Sequence, residues 1–122
     1  MGRVVHFELP ADDPKRAVGF YRDVFDWRIE EWHGDIEYYL ASTGLEDSPG
    51  IDGAILRREA PVTRLVTTIG VGSLDETLEK LTAGGGRVID ERKPIPGIGW
   101  HAYCEDTEGN VIGVLEPDEN AR

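Results

Sequence analysis

The chain predicts an α+β fold of two βαβββ modules, whose mixed sheets curve around a concave pocket with the helices on the outer faces. Three observations carry this. A strand–turn–helix pattern occurs twice, at Val4–Phe25 and at Leu65–Gly84. Each occurrence is followed by three short stretches that read as strands. The halves also align at an offset of sixty residues: Asp13 meets Ser73 as a helix cap, Ile29 meets Ile89, and Gly53 meets Gly113. A single βαβββ unit leaves one sheet face bare, so two must combine to bury a core. We therefore expect one domain over residues 1–122, with module one at about 3–60 and module two at about 64–117.

Val4–Leu9 alternates, with His6 and Glu8 beside Val4 on one face and Val5, Phe7 and Leu9 on the other. The apolar set is expected to pack on a helix, and Pro10 to end the strand. Asp12 or Asp13 caps the next helix and Pro14 suits its first turn. Ala17, Val18, Tyr21, Val24 and Phe25 then form one apolar stripe at helical spacing. Trp27–Trp32 and Glu37–Ser42 read as strands joined by a turn at His33-Gly34-Asp35. Gly44–Gly50 is a loop, and Ile51–Arg58 a fourth strand.

In the second half, Leu65–Val71 is a β-branched-rich strand. Ser73-Leu-Asp-Glu76 is a capping box, in which the serine oxygen and the glutamate carboxylate satisfy helix N–H groups reciprocally. Leu74, Leu78 and Leu81 form the buried stripe, and Gly84-Gly85-Gly86 stops the helix. Arg87–Arg92, Trp100–Glu105 and Val111–Glu116 are strands. Lys93–Gly99 is expected to be an irregular loop at the pocket rim, a lid or specificity element, and Pro117 onward a fraying tail.

Composition narrows the function. A net charge of −11 repels phosphate backbones, so nucleic acid is not an expected partner. No run approaches the length of a membrane span, so no membrane partner is expected either. The opening MGRVVHFEL runs straight into a strand pattern, so no signal peptide is expected. The single cysteine, Cys104, forms no internal disulfide and reads as a small core residue. A cytoplasmic protein is the expectation.

The pair with most chemistry is His6 and Glu8. Two residues apart on one strand, they project the same way, and an imidazole beside a carboxylate is a candidate general base. Both are candidate catalytic residues. On the stretch WHAYCED, His101, Tyr103 and Glu105 share one face and Trp100, Ala102 and Cys104 the other. Tyr38 and Tyr39 point oppositely, so one of them reaches the pocket. Tyr39, Trp100, His101 and Tyr103 are the candidate substrate-binding residues. Aromatic walls with a few polar groups suit a small organic ligand.

The strand with His6, the run ADDPKRAVGFYRDVFDW and the later AYCEDTEGNVIGVLEP together resemble the vicinal oxygen chelate superfamily of glyoxalase I, bleomycin-resistance proteins and extradiol dioxygenases, with small glyoxalase-like members most similar. The resemblance covers nearly the whole chain. It implies a metal centre whose ligands come from the first and fourth strands of each half, which here means His6, about Gly53, Val66 and Gly113. Only His6 offers a donor, and one imidazole cannot hold zinc or iron, which takes about three protein ligands even in an open site. The expectation is a glyoxalase-like protein that binds a small organic molecule with no cofactor and no metal ligands. The alternative is a lyase, isomerase or dioxygenase with a divalent metal at His6. The resemblance further implies a homodimer.

Overall fold

The computed structural model describes residues 2–122. Its elements run β1 (Arg3–Ala11), α1 (Pro14–Phe25), β2 (Arg28–Glu31), β3 (Tyr38–Ser42), β4 (Asp52–Arg57), β5 (Val66–Gly70), α2 (Leu74–Ala83), β6 (Arg87–Ile95), β7 (Gly99–Glu105) and β8 (Val111–Pro117). This is βαβββ twice, as expected. The chain divides into two compact units, one of His6–Val66 and the other of the first residues through Val5 with Thr67–Arg122.

In the first of these units the strands lie in the order β2-β3-β4-β1, with β4 parallel to β1 and the remaining pairs antiparallel. Asp13 caps α1 by accepting a hydrogen bond from the Arg16 N–H, and Asp26 closes it in the left-handed conformation, φ 57°. One face of the sheet packs against α1. There Ala11, Val18, Ile29, Tyr39, Ala41 and Ile55 are buried, with Leu9, Ala17, Tyr21 and Trp27 packed on them. Tyr21 stacks on Trp27 at 4.6 Å. The Arg22 guanidinium ties the end of the helix to the Ile29 carbonyl.

The second unit repeats the plan as β5-β8-β7-β6, with β8 parallel to β5. Ser73 accepts from the Glu76 N–H at 3.2 Å, and the Leu74 N–H is taken by the Glu116 carboxylate at 2.8 Å. Leu74, Ala102, Cys104 and Val114 form the core under α2, joined by Leu78, Leu81, Val88 and Trp100. Burial raises the pKa of the Cys104 thiol, which keeps it protonated and inert. The left-handed residue after α2 is Gly85, φ 100°, and not the cap Gly84 at φ −83°.

Three expectations change. β1 continues through Pro10 to Ala11, because Pro10 and Ala11 still pair with Leu56 and Arg57 of β4. A strand residue directs its N–H to one side only, so a proline is tolerated where that side needs no donor. Lys93–Gly99 is not an irregular loop: β6 and β7 stay paired as far as Ile95↔Gly99. The tail is bonded back onto the hairpin. Asp118 donates its N–H to the Ile98 carbonyl at 2.9 Å and accepts from the Trp100 indole at 3.1 Å. Gly97 donates to the Ala121 carbonyl at 3.0 Å, and Ala121 is fully buried. These bonds tie the hairpin end to the tail.

Candidate functional site

The sheet face of residues 6–66 that turns away from α1 is defined by register. Pairing of His6 with Asp52, Glu8 with Ala54, Leu40 with Ala54 and Tyr38 with Leu56 puts all these side chains on one side. His6 and Glu8 are two strand residues, or about 7 Å, apart at the backbone. Tyr38 closes the gap. Its hydroxyl donates to Glu8 Oε2 at 2.9 Å and lies 2.9 Å from His6 Nε2. Tyr38 stands on β3, two strands and about 10 Å from β1. Ala54, between them, carries only a methyl group and so leaves room for the ring.

The hydrogen-bond arithmetic assigns the imidazole. Tyr38 has a single hydroxyl hydrogen and gives it to Glu8, so at the other contact it accepts, and His6 donates from Nε2. Nδ1 then carries the lone pair. Burial lowers the His6 pKa, while the charges of Glu8 and, less strongly, Asp52 oppose the shift. The ring is therefore neutral near pH 7. Asp52 is itself held by Thr43, whose N–H and hydroxyl approach its Oδ1 at 2.9 and 3.4 Å. Glu8 is 4% exposed, a buried carboxylate with a built partner.

Tyr38, not Tyr39, is the residue of the pair that meets His6 and Glu8. Tyr39 is 7% exposed in the core under α1, and its hydroxyl donates to Glu37 at 2.9 Å. Burial and that carboxylate raise the Tyr39 pKa. Alternation alone leaves the choice between the two open, because it gives opposite directions without saying which face is which. Trp100 likewise lies among core residues, with its indole on Asp118 and the Arg92 guanidinium 4.4 Å from its ring centroid. His101 and Tyr103 lie on the other face of β7, ring to ring at 4.5 Å. Thr68, 3% exposed, shares that face through its pairing with Gly113.

The family's metal positions can be tested against the register. Gly53 faces Phe7: a Cβ there would sit 2.6 Å from the Phe7 ring, on the side opposite His6. Thr68 pairs with Gly113 as Glu8 pairs with Ala54, so the counterpart of Gly113 is Ala54 and not Gly53. The four positions are then His6, Ala54, Val66 and Gly113, and His6 alone offers a donor. At Gly113 the space of a side chain is already taken, since a Cβ would lie 2.8 Å from His101 Nε2 and 3.0 Å from Thr68 Oγ1. Among the described residues no group of three or more His, Cys, Asp or Glu could hold a metal ion. The donor set does not fit the family's metal centre.

A cavity of about 410 Å³ opens elsewhere, where the start of α1 meets the end of β1. Leu9, Ala17, Phe20, Tyr21 and Ile55 line it with Arg16 and Arg58 at its polar side, and it contains none of His6, Glu8 and Tyr38.

Two βαβββ repeats, each with its first and fourth strands parallel and a polar cluster on the helix-free face, define a glyoxalase-type domain. The comparisons agree. The profile of the Glyoxalase/Bleomycin resistance protein/Dioxygenase superfamily matches residues 3–114, and the chain belongs to that superfamily. A glyoxylase-like domain-containing protein of Didymella fabae is 28% identical over 123 residues, covering 93% of this chain and 92% of that protein. Methylmalonyl-CoA epimerase from Mycobacterium tuberculosis shares the fold with a TM-score of 0.71 at 16% identity, over 94% of this chain and 87% of the other. A hypothetical protein from Bacillus halodurans C-125 does so with a TM-score of 0.72 at 16% identity, over 99% and 98%.

Proposed function

We propose that this protein binds a small organic molecule against the face that carries His6, Glu8 and Tyr38, and that it does so without the superfamily's metal centre. The observation behind this reading is the buried Glu8 carboxylate, held by Tyr38 and linked through it to His6 on the sheet face turned away from α1. Burying a carboxylate on a strand is costly unless it is paired. On the equivalent face of β5 and β7, Thr68, His101 and Tyr103 are proposed as further binding residues. Among the described residues no helix is long and apolar enough to cross a membrane. A cytoplasmic homodimer is part of the same proposal, and the net charge of −11 speaks against a nucleic-acid partner.

The test is a thermal-shift screen against a panel of small aromatic and carbonyl compounds. A ligand that binds only the folded state raises the melting temperature. At least one compound should do so for the native protein and lose its effect in Glu8→Gln. A flat panel counts against the reading. The second reading, a metal-dependent lyase, isomerase or dioxygenase, is favoured by His6 at the family's first-strand position. Stoichiometric zinc, nickel, manganese or iron in elemental analysis of the purified protein would put it first.

A further inference from the structure

We propose that Trp32 is the aromatic platform of the binding face, and that it selects a flat aromatic cation as the ligand. This deepens the binding reading above and rests on it.

Two neighbours build the seat of the indole. The Trp32 N–H donates to the Tyr38 carbonyl at 2.8 Å, one residue beyond the Glu31↔Tyr39 pair. Trp32 therefore stands opposite Tyr38, and directly opposed strand residues share a face, here that of His6 and Glu8. The Trp32 and Tyr38 rings meet edge to face, 5.9 Å apart at 72°. The six-membered end of the indole lies over Gly34, where a Cβ would overlap Cη2, Cζ3 and Cζ2. Gly34 does not take the left-handed conformation, so the turn does not itself demand a glycine. What demands it is the ring. Trp32 is nonetheless only half-buried, and it lies outside the core under α1. A ring already held in one orientation loses little further freedom when a ligand stacks on it.

The charges around the ring name the ligand. Strand alternation puts Glu30 on the same face as Trp32, and the register adds Glu8 and Asp52. Arg28 follows two residues beyond Glu30, at the far end of β2. An anion approaching the ring meets the carboxylates first and is repelled. A cation is drawn in by them and by the face of the indole, which among aromatic side chains attracts cations best. Leu40, 43% exposed, stands two residues from Tyr38 on the same face and extends the apolar surface beside the ring. A flat aromatic cation satisfies the ring, the leucine and the charges together.

The experiment compares three probes of similar shape by calorimetry near neutral pH: N-methylquinolinium as the cation, quinoline as the neutral ring and naphthoate as the anion. The native protein should bind N-methylquinolinium most tightly and naphthoate least. Trp32→Leu should weaken binding of the cation about tenfold, the equivalent of about 1.4 kcal/mol. Gly34→Ala displaces the ring without altering it and should lose affinity too, which carries the test if Trp32→Leu does not fold. Phe20→Leu replaces an aromatic on α1 that is 55% exposed and should leave the affinity unchanged. Melting curves establish that each variant is folded. Unchanged affinity in folded Trp32→Leu overturns the platform while upholding the pocket, and so does an equal loss in Phe20→Leu. Naphthoate bound as tightly as N-methylquinolinium overturns the charge class. Binding of none of the three overturns the inference as a whole, and the pocket then stands or falls on the compound panel.

Discussion

Tyr38→Phe is the most informative single substitution for stability. It deletes one oxygen from a half-buried side chain and leaves the ring, so packing is nearly conserved. What is lost is the bond to Glu8 Oε2 and the bond from His6 Nε2, each 2.9 Å. A hydrogen bond to a charged group contributes roughly 1.5–3 kcal/mol and a neutral one about 0.5–1.5 kcal/mol. Part of this returns as Glu8 and His6 find water or each other's vicinity, so a net loss of about 2 kcal/mol is expected. For a chain between the small and mid-sized ranges, about 1 kcal/mol corresponds to roughly 4 °C, which places the shift near 8 °C. Urea unfolding followed by fluorescence measures it, with Tyr39→Phe as the comparison. The Tyr39 hydroxyl serves a surface carboxylate, Glu37, also bound by Arg57, so its removal should cost about 1 kcal/mol or less. A loss below about 0.5 kcal/mol in Tyr38→Phe, or a larger loss in Tyr39→Phe, would refute the reasoning that the bridge is the stabilising part of this face.

Further outcomes follow from the same coordinates. His6 has its pKa lowered below 6.5, chiefly by burial, so the unfolded chain binds its proton more readily than the folded one. Stability should therefore fall as pH drops through about 6.5 and level off below the folded pKa. His6→Gln should lack that component, which melting curves across the window will show. Ser73→Ala removes the oxygen that accepts from the Glu76 N–H and should cost about 0.5–2 kcal/mol by chemical denaturation; an unchanged midpoint would count against Ser73 as the cap. Truncation after Pro117 removes the Asp118 bonds to Ile98 and Trp100, the Gly97–Ala121 bond and the buried Ala121. At about 1 kcal/mol per hydrogen bond it should lower the melting temperature clearly, whereas a freely fraying tail would leave it unchanged.

The amino-acid sequence by itself determined the element order. Strand alternation, the Asp13 and Ser73 caps, Pro14 at the first helical turn and the glycines after Ala83 are local signals, each carried by neighbours in the chain. Both helices and all eight strands stand within a few residues of where those signals put them. The residues also named His6 and Glu8 as a pair, since strand geometry alone makes residues two apart project together. What only the tertiary structure decided is everything that passes from strand to strand. Gly53 looked equivalent to Gly113 because both are glycines in a fourth strand, but the β1–β4 ladder gives that place to Ala54. A slip of one residue turns a side chain to the other face, and no local signal reports the register. Tyr38 and Tyr39 posed the same question. The burial of Tyr39 beside Ile55 and Val18 answered it, and so sent Tyr38 across Ala54 to join two residues that the chain separates from it by 30 and 32 positions.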